Sequence, residues 1–106
     1  GGRRQGRQPA ALAGVNTAEA VRLSASLAQC EIALVRRDAV APALLAQAAR
    51  HADGLAVGEM VGTAARMART LDPAGGAPDQ DAARKVIQAL CRAAVCEVDA
   101  VLLREG

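Results

Sequence analysis

The chain has 106 residues and a formal charge of +2, and it contains no Phe, Tyr or Trp while 27 of its positions are Ala. That length suits one small domain with a single hydrophobic core. Aromatic rings are the usual means of stacking on bases, anchoring interfaces and lining cofactor pockets, so their absence weighs against a nucleic-acid reader and a cofactor enzyme.

Ala, Leu, Arg and Gln are good helix formers, and β-branched residues nowhere alternate with polar ones over a strand's length, so the expected class is all-α. No apolar run approaches the roughly 18 to 20 residues of a membrane span, and no apolar signal segment follows Gly1-Gly2-Arg3-Arg4. A first residue other than Met is expected of an excised domain. Arg3, Arg4 and Arg7 carry three of the positive charges and leave the remainder near neutral. Without interleaved aromatics they offer nucleic acid only a weak, salt-sensitive attraction. Cys30, Cys91 and Cys96 are odd in number and match no zinc or redox spacing. They read as reduced, small hydrophobes in an intracellular, cytoplasmic setting.

Residues 1–15 read as a flexible basic arm or an expression remnant, and residues 16–106 as the folded domain. Asn16 or Thr17 provides an N-cap, with Glu19 in the first turn where it suits the helix dipole. The first helix should run from about Thr17 to Arg36. It carries one heptad seam of Ala18, Val21, Ala25, Ala28, Ile32 and Val35. A second seam, Leu23, Leu27, Cys30 and Leu34, lies nearly opposite. Such a helix is either central in its bundle or also packs on another protein.

Asp38 is the expected cap and Pro42 a first-turn residue of a second helix, about Val40 to Ala52, followed by an Asp53-Gly54 turn. The third helix should span roughly Leu55 to Leu71. Gly54, Gly58 and Gly62 recur every fourth residue, and a glycine inside a helix costs about 1 kcal/mol relative to Ala. A strip of close helix approach is the expected compensation. The stretch from Leu71 to Pro78 is a loop. Asp79 then caps a final helix to about Arg104. Ala82, Val86, Ala89, Ala93, Cys96, Ala100 and Leu103 make one seam. Ala83, Ile87, Leu90, Ala94 and Val101 make the adjoining one, with Arg84, Lys85, Gln88, Arg92 and Asp99 opposite. This helix should be the best buried. The whole predicts an alanine-rich, antiparallel up-down-up-down four-helix bundle whose axes approach near the lower end of about 8–10 Å.

His51 is the sole histidine, which excludes a His pair or His-rich metal site within one chain. In the segment Ala49-Arg50-His51-Ala52-Asp53-Gly54-Leu55 it resembles the phosphoacceptor of histidine phosphotransfer domains, which are helical bundles with one exposed His. Here Gly54 falls one residue earlier than in that motif, and no Lys follows the His. Leu90, Ala93, Ala94, Val98 and Val101 are loosely similar to the binding helix of talin-rod and vinculin adhesion bundles, with Glu97 and Arg104 standing where that pattern has apolar residues. Asp72, Asp79 and Asp81 lack the ligand order of a calcium loop. No catalytic residue, cofactor or metal site is therefore expected. The expected function is a non-catalytic interaction or assembly module that binds a protein helix or self-associates. Leu23, Leu27 and Leu34 are the first candidate contacts, Gly58 and Gly62 the next, and phosphotransfer through His51 is the alternative.

Overall fold

The computed structural model describes residues 17–55, 57–71 and 78–105. The expected arm at 1–15 and the loop residues 72–77 lie outside the described residues, as does Asp72. The described chain is all-α: α1 is Thr17–Val35, α2 Ala41–Ala52, α3 Gly58–Ala68 and α4 Pro78–Glu105.

Each helix end has a local cause. After α1 the chain turns through Arg37, which adopts a left-handed φ of 56°. The Asp38 amide donates to the Ala33 carbonyl at 2.9 Å and the Arg37 amide to that of Leu34 at 3.2 Å, the paired bonds of a Schellman ending. Asp38 then accepts the Val40 amide on its Oδ1 at 3.0 Å, and Pro42 occupies the first turn of α2. Its carboxylate therefore pins the turn ahead of α2, but the N-cap position itself belongs to Val40, which has no side-chain cap, so Asp38 is not the helix cap it was expected to be.

α2 ends in a type II turn. Asp53 has φ −59° and ψ 133°, Gly54 has φ 85°, and the Leu55 amide donates to the Ala52 carbonyl at 3.0 Å. Beyond the turn the Gly58 amide donates to the Leu55 carbonyl at 2.9 Å, and α3 begins at Gly58 rather than Leu55. Its other end also comes earlier than expected, at Ala68, because Thr70 and Leu71 bond only to carbonyls three residues back.

α1 packs on α2 and α4, and α3 packs on the same two helices, which closes a ring of four. Ser24 bonds Asp99 and Glu31 bonds Arg92. Residue numbers thus rise along α1 as they fall along α4, and that pair runs antiparallel. Inside the ring lie Leu27, Leu34, Leu45, Val61, Ile87 and Val98, all fully buried. Nine of the twenty buried apolar residues among those described are Ala. Burial of a Leu is worth roughly 1.5–3 kcal/mol and of a methyl far less, so the few large side chains carry most of the core's transfer free energy.

α4 departs from expectation. It is buried along one face only, through Ile87, Cys91, Ala94, Val98 and Val101, while its Ala82–Leu103 seam is exposed throughout. Arg84, expected opposite the core, is buried with 5% of its surface accessible. It sits in the α1–α2 corner beside Leu34, Ala41 and Leu71, within 3.9 Å of Asp81. Asp81 is held at 2.7 Å by Arg37, so the residue that ends α1 also ties α1 to α4.

Candidate interaction face

The two seams of α1 have the reverse of their expected roles. Leu23, Leu27 and Leu34 are 4%, 0% and 1% exposed and belong to the core of their own bundle. They are not a contact surface. The other seam faces solvent, with Val21, Ile32 and Val35 half exposed or more. Volume decides the choice: turning three leucines outward in favour of Val, Ile and alanines would forfeit several kcal/mol of burial.

The glycine strip also resolves differently at each position. A Cβ on Gly58 would run into the carbonyl oxygen of Ala52, so this glycine serves the close approach of the α2 end to the α3 start. Around Gly62 the nearest atom to an added Cβ is Arg66 Nη1 at 3.6 Å, an ordinary contact. Among the described residues no second helix presses on Gly62. Both glycines were expected at a partner's seat, and Gly58 is instead taken up by the chain's own turn.

The exposed apolar side chains follow two adjacent helices. On α1, Val21, Ala28 and Val35 each lie three or four residues from Ser24 or Glu31 and so flank them on the helix surface. On α4, Ala89, Cys96 and Leu103 flank Arg92 and Asp99 in the same way. Two polar links join the helices between these rows. The Ser24 hydroxyl donates to Asp99 Oδ1 at 2.6 Å, and Arg92 donates through Nη2 and Nε to Glu31 Oε2 at 2.7 and 3.1 Å. The antiparallel register sets Val21 across from Leu103 and Val35 across from Ala89. Beyond these rows the apolar surface continues to Ile32 on α1 and to Val86 and Ala93 on α4. Leu103 is the extreme, with 83% of its surface exposed.

His51 is exposed in the last turn of α2. It borders a groove of about 500 Å³ between α1 and α2, lined also by Arg22, Gln29, Gln47, Leu23 and Leu55. The groove exists because α2 stops at Ala52 while α1 continues past it. Glu19 also lines it, so its charges are mixed.

The three cysteines divide by environment. Cys30 and Cys91 are buried, and Cys96 is exposed on the apolar seam of α4. Burial pushes the Cys30 thiol up to about 11 from its ordinary value of 9.0. Burial, together with nearby Cys30 and Glu31, pushes Cys91 up to about 12. Both are held as neutral thiols, the form expected of cysteines used for packing. No group of His, Cys, Asp and Glu among the described residues is arranged to hold a metal ion, and no described helix is long and apolar enough to cross a membrane. Comparison with family models, curated proteins and solved structures gives no match to this chain.

Proposed function

We propose that the chain is a non-catalytic helical module that associates with protein helices through the outer faces of α1 and α4. The observation that carries this reading is the exposed apolar surface on those two helices, from Val21 to Val35 and from Val86 to Leu103. Scattered exposed apolar residues need no explanation, but contiguous ones at heptad spacing match what a partner helix packs against. Their small size favours a helix over a bulky ligand, because Ala rows let backbones come close. The buried, protonated thiols suit a reducing, cytoplasmic location.

Photo-cross-linking in the cells that produce the chain tests the reading. A photoreactive residue replacing Ile32 or Val86 should give discrete protein adducts, and one replacing the exposed Arg69 of the α3 end should give none. Equal labelling at all three positions, or none at any, refutes an interaction role for this face.

The exposure of His51 at a groove edge supports phosphotransfer as the alternative. In that case incubation with a phosphorylated donor protein would place acid-labile phosphate on the chain, and His51→Gln would abolish it. Absence of such phosphate across donors leaves the interaction module alone.

A further inference from the structure

We infer that Cys30 and Cys91 form a dithiol site between α1 and α4, which a small-molecule disulfide of the glutathione class converts to an internal disulfide. Neither residue lies on the outer faces of α1 and α4, so the site is independent of the interaction reading. Register brings the two together. Cys30 directly precedes Glu31 and Cys91 directly precedes Arg92, and those two neighbours are bonded at 2.7 Å. In an antiparallel pair this leaves the cysteines about 3 Å apart along the helix axes, at a rise of about 1.5 Å per residue. Both face the core, with 0% and 1% of their surface exposed. The inward rows keep the same step there: Leu27, Cys30 and Leu34 on α1 run against Ala94, Cys91 and Ile87 on α4, three residues and then four in each. Cys30 therefore shares a core layer with Cys91, and it is close enough to act electrostatically on the Cys91 thiol.

Cys96 substitutes for neither. It is exposed, and on α4 it points about 140° away from Cys91. The step is thiol–disulfide exchange. When α1 and α4 part, the Cys30 thiolate attacks one sulfur of the small disulfide, an S–S bond forms to Cys30, and the first small thiolate leaves. Cys91, deprotonated in turn, attacks the Cys30 sulfur, so that the internal bond forms and the second small thiolate leaves. The protons given up by the two cysteines end on the two released thiols: one pair of thiols is oxidised and one small disulfide is reduced. Burial drives the second attack, because a layer without exposed surface has no room for a tripeptide adduct yet keeps Cys91 beside Cys30. The loop so closed, about sixty residues long, contains α2 and α3, and a loop of that length constrains the unfolded chain strongly.

Refolding tests the site without waiting for the core to open. The reduced chain is diluted from urea into a mixture of reduced and oxidised glutathione, brought to equilibrium, quenched with acid and digested with trypsin. Trypsin cuts after Arg92 and so separates Cys91 from Cys96. Peptide 23–36 should be found linked to peptide 86–92, with glutathione on Cys96. In a second sample kept in urea the Cys91 to Cys96 link should dominate, because a short loop closes more readily than a long one. The ratio of the two links should differ more than about 30-fold between the samples, which is the handicap the longer loop carries in an unfolded chain. The linked chain should keep its helical circular dichroism and melt about 10–20 °C above the reduced one, and Cys91→Ser should abolish both the link and the rise. Refolded chains in which Cys30 and Cys91 stay reduced, or pair no more often than in urea, overturn the site. A link that forms only with loss of helicity overturns it as well.

Discussion

The glycines of α3 offer the sharpest trial of the packing, because one substitution made four residues apart should have opposite signs. Gly58→Ala places a Cβ against the Ala52 carbonyl oxygen, a backbone atom that also accepts the Leu55 amide in the type II turn. Neither can move without opening that turn or shifting the start of α3. Overpacking of this kind costs about 1–3 kcal/mol, and at the first residue of a helix alanine's propensity recovers only part of it. A net loss of about 2 kcal/mol is expected. Gly62→Ala adds its methyl to space bounded only by the Arg66 guanidinium at 3.6 Å, within the helix interior. There the gain in helix propensity, about 0.5–1 kcal/mol, should appear nearly whole. For a domain of this size 1 kcal/mol shifts Tm by about 4–8 °C, so the two variants should melt more than about 10 °C apart on either side of the parent. Urea denaturation followed at 222 nm supplies the free energies. Equal midpoints, or a destabilising Gly62→Ala, would refute the close approach assigned to Gly58 and the open one assigned to Gly62.

Other perturbations test the remaining elements. Leu27→Asp should unfold the chain, with loss of its helical circular dichroism, because it buries a carboxylate in the core; Ile32→Asp on the opposite seam should keep the helicity within about 0.5 kcal/mol of parental stability. Arg37→Gly removes a left-handed arginine worth about 1 kcal/mol of strain and an exposed ion pair to Asp81 worth less than that, so thermal melting should rise slightly; a fall would give the ion pair the larger share. Raised thiol values in the folded state mean that the native chain holds protons the unfolded chain loses above 9.0. Stability should thus be intact below pH 9 and fall as pH climbs towards about 11 and 12, by about 1.4 kcal/mol per pH unit per thiol; Cys30→Ala with Cys91→Ala, measured over the same pH range, should flatten this dependence.

Helix positions were legible because their punctuation is local. Thr17, Asp38, Pro42 and Asp53-Gly54 each bias the few dihedrals beside them, and α1, α2 and α4 end within a residue or so of where those residues say. The choice between the two apolar seams of α1 is a property of the whole bundle, and heptad spacing is silent about it. Side-chain volume was the signal available: Leu23, Leu27 and Leu34 outweigh Ala18, Ala25 and Ala28. In α4 the same weighing favours Ile87, Val98 and Val101 over a row of alanines. Arg84 carried no such signal. Its burial comes from the corner formed by Leu34, Ala41 and Leu71, residues distant in sequence that only the tertiary arrangement brings together.

The inequality of the helices also shapes how the molecule opens. α4 has 28 residues and α1 has 19, whereas α2 and α3 have 12 and 11, so the short pair covers only about 18 Å of an α4 about 42 Å long. Amides around Leu27 and Ile87, in the four-helix section, should exchange with deuterium only through global unfolding. Those near Val21 and Leu103 should exchange faster, because among the described residues the bundle is thinner there. Deuterium uptake therefore reads two free energies in one chain, a global one from the four-helix section and a smaller local one from the end that carries Val21 and Leu103.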